Sequence, residues 1–229
     1  MPILLIDVGL TLLGGPKKSP ATFICETFGL PRECKGAVAD IVFCQEHGGP
    51  GDLLESLSIG LDRQISGGEE ATIAEYWERQ GIECVPLPGA KAFCEEIIRV
   101  GYRYYVVSNL WCPFHGALTK WLPDFELSSE GSFLSYKMGA RKPSDRFYSQ
   151  VFSQVCVAPT DLVMIGDSLD NDIIPCVSRG AKAILMNFSP AKTGSNVDGV
   201  MASANGKVHM AKSYDECLTV LKNHIGVPT

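Results

Sequence analysis

No run of apolar residues in this chain approaches the roughly 18 needed to span a bilayer. Its start, MPILLID, has no basic segment, and the apolar run there is too short for a signal peptide, so a soluble cytoplasmic protein with no membrane partner is expected. Positive charge is not in excess either. The 20 Lys and Arg against 26 Asp and Glu give a formal net charge of −6, which argues against broad binding to nucleic acid or anionic membranes. No two of the nine cysteines are spaced as C-x-x-C, and Cys25, Cys34 and Cys44 lie too far apart for a zinc knuckle. Most cysteines sit in apolar stretches such as ATFICETF and AFCEEII, where a reduced thiol behaves as a small hydrophobe. No G-x-G-x-x-G follows the first apolar run, and the Lys-Thr of SPAKTGSN lacks the upstream glycine of a P-loop, so neither nucleotide fingerprint is present. Repeats and low-complexity segments are missing too.

What is present is alternation. Four short apolar runs end in polar residues: PILLID at 2–7, YRYYVVSN at 102–109, DLVMIGD at 161–167 and KAILMN at 182–187. Runs this short, apolar at consecutive positions, suit strands buried on both faces. Between them GAKAFCEEIIRVG and PSDRFYSQVFSQV carry apolar residues at helical spacing, and Gly101 stops the first of these. The fold class expected is α/β, a doubly wound parallel sheet of Rossmann-like form. The stretch from 14 to 85 breaks the rhythm with Gly-rich interruptions and amphipathic helical segments, and reads as a helical insert. The domain reading is a core of 1–13 and 86–229 with a small helical domain at 14–85, hinged at Gly14-Gly15 and PLPG. Residues 189–207 read as an irregular surface loop before a last strand and helix.

Ligands bind open parallel sheets at the carboxyl ends of the strands, and those ends are chemically coherent here. The first run ends in Asp7, with Thr11 four residues on; the second ends in Ser108-Asn109; the third ends in Gly166-Asp167, followed by Asp170 and Asp172. Lys142 precedes the helix leading into the third run. Asp7 and Asp167 at neighbouring strand tips would repel unless a cation lies between them, and all-oxygen ligands make Mg²⁺ the natural one. The Ser108 hydroxyl and N–H groups at the start of the next helix suit phosphate oxygens, and Lys142, held by Asp172, supplies fixed positive charge. Together these describe a phosphoryl-transfer site.

With these residues in this order the chain resembles the haloacid dehalogenase-like (HAD) hydrolase superfamily. LLIDVGLTLL is similar to its first motif, YYVVSN to the second, GARKPS to the third and VMIGDSLDNDI to the fourth. The insert matches in place and length the cap of the subfamily whose cap follows the first motif. The resemblance implies a Mg²⁺-dependent phosphatase acting on a small phosphorylated metabolite, as a monomer or homodimer. It implies that Asp7 is the nucleophile and that Asp7, Asp167 and the carbonyl of Gly9 bind the metal. Ser108 and the amide of Asn109 would hold the phosphoryl group, Lys142 would balance its charge, and Asp172 and Thr11 would support them.

The chain departs from that pattern at Gly9, where the family's phosphatases carry a second aspartate that protonates the leaving oxygen and then deprotonates water; Leu10 also stands where the family often has glycine. Acid–base catalysis contributes about 10²–10⁴-fold, so its loss falls hardest on poor leaving groups. His115, His47 and Glu46 are candidate substitutes. The alternatives are a phosphate-binding or regulatory protein on the same fold and, less favoured, a carbon–halogen hydrolase, whose relatives carry an aromatic residue in place of Gly9 and need no metal. A phospho-acceptor receiver domain shares the sheet, acid, hydroxyl and lysine, but it is shorter and has no large insert after its first strand.

Overall fold

The computed structural model describes residues 2–188, 199 and 206–225. Its centre is a six-stranded sheet of order β3-β2-β1-β4-β5-β6, with every pair parallel: β1 Ile3–Ile6, β2 Arg103–Ser108, β3 Ser132–Leu134, β4 Leu162–Gly166, β5 Lys182–Met186 and β6 Val208–Ala211. The four apolar runs become β1, β2, β4 and β5. β3 was not anticipated, because three residues carry no readable pattern. The loop expected over 189–207 lies, apart from 199, 206 and 207, outside the described residues.

Side chains alternate across each strand, so one strand serves two cores. Leu4 and Ile6 join the layer containing Phe93, Ile97 and Leu118, whereas Ile3 and Leu5 join the opposite layer with Phe147, Tyr148 and Val151. That double burial explains why β1 is apolar at every position. The flanking helices are set by local signals. The helix Ala90–Val100 ends at Gly101, whose φ of 82° only glycine adopts without strain. Asp145–Val155 is capped by the Ser144 hydroxyl, which accepts the Phe147 N–H at 3.3 Å.

Between β1 and the helix Ala90–Val100 the chain forms four α-helices: α1 Pro20–Thr27, α2 Lys35–Cys44, α3 Pro50–Gly60 and α4 Gly67–Glu83. Pro20 at the first turn and the Ser19 hydroxyl open α1, and a reciprocal Ser66–Glu69 capping box opens α4. The four bury their own cluster, including Ile24, Val38, Val42, Leu53, Leu57 and Ile73. The two chain crossings into this insert run side by side: Gly14 N–H donates to Val85 O at 2.8 Å and Leu87 N–H to Leu12 O at 2.9 Å, with an antiparallel bridge between Leu13 and Pro86.

Candidate active site

Asp7 continues β1 by one residue, donating its N–H to Ile165 O at 2.9 Å, which fixes it at the sheet edge beside β4. The residue is buried, and every contact of its carboxylate is a donor. Oδ1 accepts from Ser108 Oγ at 2.7 Å and Lys142 Nζ at 2.7 Å, and Oδ2 accepts from Thr11 Oγ1 at 2.9 Å. Ser108 Oγ in turn accepts the Val8 N–H at 3.4 Å. Lys142 uses all three of its protons, on Asp7, on Asp172 Oδ1 at 2.5 Å and on Val107 O at 3.1 Å. Burial alone would pull its pKa down, but the charges of Asp172 and Asp7 outweigh that and hold the ammonium protonated.

Asp172 is fixed from both sides, since its Oδ2 also accepts the Ser168 N–H at 3.0 Å. Gly166 makes this possible: a β-carbon there would lie 2.5 Å from Asp172 Oδ2. Asp7, Asp167 and Asp172 each offer an oxygen, all within 4.8 Å of one another. Lys142 touches Asp7 and Asp172 but not Asp167, whose carboxylate has no side-chain hydrogen-bond donor among the described residues. Burial, then the charges of Asp7 and Asp172, push the Asp167 pKa well above the usual carboxylate range. Three oxygen donors around one unbalanced carboxylate fit a hard divalent cation such as Mg²⁺.

The geometry brings Asp7, Gly9, Ser108, Asn109, Lys142, Asp167 and Asp172 onto one cavity of about 740 Å³, while Thr11 sits behind Asp7. Asp170 is exposed and faces no part of it. Two expectations need correction. The helix after β2 begins at Cys112, not directly after Ser108-Asn109, so a three-residue loop separates the Ser108 hydroxyl from the helix start. The substitute acids fail as well. His115 is held by Tyr136 Oη at 2.7 Å and by Glu126; His47 Nε2 contacts Ile41 O at 3.0 Å; Glu46 is exposed, and none of the three lines the cavity.

The sequence reading named Asn109 for its amide but not for its side chain, and it missed Ser135 and Tyr214, all of which set these loops. The Asn109 side chain clamps the Lys142 backbone, Oδ1 accepting its N–H at 2.8 Å and Nδ2 donating to its carbonyl at 3.0 Å. Ser135, fully buried, accepts the Leu110 N–H and donates to the Leu110 carbonyl, both at 3.1 Å. Tyr214 Oη donates to Thr11 O at 2.7 Å. A buried serine just after a strand is a weak hint of such a role; the tyrosine gave none. Trp111 and Phe114 pack in the core and also line the cavity. Trp111 is buried within the insert's cluster, edge-on to Trp77 at 5.1 Å, and both residues line the cavity.

Comparison with known proteins identifies the fold. Residues 139–196, which contain Lys142, Asp167 and Asp172, match the HAD-hydrolase-like family. Among solved structures, the HAD-hydrolase YfnB from Bacillus subtilis, determined with magnesium bound, superposes with a TM-score of 0.62 at 16% identity, covering 96% of this chain and 98% of that one. A HAD phosphatase from Thermococcus onnurineus gives a TM-score of 0.59 at 17% identity over 97% and 98% of the two chains. A 2-haloacid dehalogenase from Pseudomonas syringae pv. tomato gives 0.59 at 15% identity over 96% and 98%. The same fold thus carries different chemistries, and the side chains at the strand ends must decide between them. The chain has the fold of the haloacid dehalogenase-like hydrolases, and over residues 139–196 it carries that family's sequence pattern.

Proposed function

We propose that this protein is a Mg²⁺-dependent phosphatase that hydrolyses small phosphate monoesters through an aspartyl-phosphate on Asp7. The observation that carries the reading is the Asp7 carboxylate, buried on the cavity floor and ringed by Ser108, Thr11 and Lys142. In this reading an Asp7 oxygen attacks phosphorus as the ester P–O bond breaks and the alcohol oxygen departs, taking its proton from solvent, while Ser108 Oγ and the Asn109 N–H turn to the phosphoryl oxygens. Lys142, kept charged by Asp172, offsets the charge that develops there. Asp7, Asp167 and the Gly9 carbonyl would hold the metal, which when bound neutralises the approaching phosphoryl group. Water then attacks phosphorus and returns the carboxylate. Residues 14–85 act as a cap over the strand ends, excluding bulk water during the first step.

The test is phosphate release from a panel of aryl, alkyl and sugar phosphates with and without Mg²⁺. Asp7→Asn is expected to abolish it; full turnover in that variant would refute the mechanism. One feature favours a second reading, a phosphate-binding protein without turnover: position 9 has no acid–base side chain. No release from any ester, together with Mg²⁺-dependent phosphate binding lost in Lys142→Ala, would establish that alternative. The dehalogenase reading lacks support, since Asp167 is retained and no aromatic stands at position 9.

A further inference from the structure

Beyond its carboxylates and Lys142 the cavity is walled by apolar side chains, with Leu10, Phe43, Trp111 and Phe114 contributing, and by uncharged polar ones such as Gln80 and Asn171. Leu10 differs from the others. Its φ of 59° puts a branched L residue in the left-handed region that favours glycine. The turn itself is held by the backbone, the Leu10 N–H donating to Leu13 O at 2.8 Å. The side chain contributes little to the fold, because the residue is 48% exposed. A large apolar group kept on strained backbone, next to the nucleophile and open to the cavity, has its use toward whatever enters. Beside it, Gly9 contributes no proton donor. Of the titratable groups lining the cavity, the three aspartates and Lys142 form the charge cluster, Lys18 pairs with Glu26, and Lys17 is exposed. Outside the cluster that holds the metal and the phosphoryl group, the leaving group therefore meets apolar and uncharged surface and no buried acid.

We propose that the substrates are phosphate monoesters of apolar, ring-sized alcohols with an acidic hydroxyl, phenols or enols, and that Leu10 selects that leaving group. This rests on the phosphatase reading above. The Asp7 Oδ–P bond forms as the P–O bond to the ring breaks, and the electron pair leaves as a phenolate or enolate that needs no proton from the protein. Water next adds to phosphorus, the Oδ–P bond breaks with its pair returning to Asp7, and the proton passes to solvent.

Three probes separate the elements of the proposal. 4-Nitrophenyl phosphate is ring-sized with an acidic leaving group, benzyl phosphate is ring-sized with a poor one, and acetyl phosphate is small with an acidic one. Wild-type kcat/KM for 4-nitrophenyl phosphate is expected to exceed that for benzyl phosphate by about 10²-fold or more, the lower end of what a missing acid costs. Leu10→Gly is expected to lower the ratio of kcat/KM for 4-nitrophenyl over acetyl phosphate by about tenfold, the scale of a lost apolar contact, while Tm rises as the strain is relieved. Comparable rates on benzyl and 4-nitrophenyl phosphate, or an unchanged ratio in Leu10→Gly, would overturn the proposal. Absence of any Asp7-dependent release from all three probes would instead overturn the phosphatase reading on which it stands.

Discussion

At position 9 the backbone makes no demand for glycine: φ lies outside the left-handed region, and a β-carbon there would meet nothing within 4 Å. A carboxylate fits, and the position lines the cavity. Gly9→Asp is therefore expected to fold with unchanged Tm and to raise kcat/KM for alkyl phosphates by about 10²–10⁴-fold. A folded variant without that gain in phosphate release would show that a side chain at 9 does not reach the leaving oxygen. Gly166 is the opposite case, because its missing β-carbon is where Asp172 lies. Gly166→Ala must displace Asp172 from Lys142 and from the Ser168 N–H, so both melting temperature and turnover are expected to fall. The third residue-scale expectation concerns Asp167. Its pKa is raised by burial and then by its acidic neighbours, so below the raised value a proton occupies the site that Mg²⁺ needs. Mg²⁺ affinity should therefore weaken as pH falls, by up to about tenfold per unit below that pKa. Calorimetric titration at several pH values reads this directly. An Asp167→Asn variant that binds as tightly, with the same pH dependence, would remove Asp167 from the metal site.

At the scale of elements, the site is a set of loop ends tied to one another. The clearest tie is Asn109, at the end of β2, which makes two hydrogen bonds to the backbone of Lys142, 33 positions further along the chain. Asn109→Ala leaves that half-buried N–H and carbonyl without their partner. A stability loss of about 1–3 kcal/mol is expected, and kcat should fall more than KM rises if Lys142 is thereby misplaced. The strands that lead to Asp7 and Asp167 were legible because each is buried on both faces and reads as an apolar run, and the strand ending in Ser108 because its Tyr-Tyr-Val-Val centre does. Order along the chain then paired each run with its polar end. β3 was not legible, as Ser132–Leu134 owes its strand to the neighbouring β2 rather than to its own pattern. Nor were the partners of His115 legible. Tyr136 and Glu126 lie 21 and 11 positions away, and only the packing of three elements brings them to its ring. Single residues at strand ends announce themselves through polarity, whereas long-range ties have no local signature.

At the scale of the whole molecule, the insert and the sheet layers meet over the cavity, and Trp111, with Phe114 beside it, joins the two. Trp111 follows β2 in the chain, yet its ring is buried among the insert's side chains, against Tyr76 and Trp77 of α4. The polar ties are weaker. Arg141 and Asp40 pair at 2.6 Å with the aspartate largely in solvent, a contact worth at most about 1 kcal/mol. The paired crossings at Leu13 and Pro86 hold only the base of the insert. A large share of the grip between insert and sheet layers should therefore come from Trp111. Trp111→Ala is expected to cost about 3–5 kcal/mol in the insert's core, because the cavity it leaves lies between layers that cannot collapse fully onto each other. That loss falls on one region rather than on the whole fold. Amide hydrogen exchange in Trp111→Ala should then show α1–α4 opening through a sub-global step well below the global unfolding free energy, while β1, β2 and β4 keep protection close to wild type. Equal loss of protection in the sheet would mean that the two layers unfold as one unit. Unchanged protection in α1–α4 would mean that the insert stands on its own four-helix core, and that closure over the strand ends is set by the crossings alone.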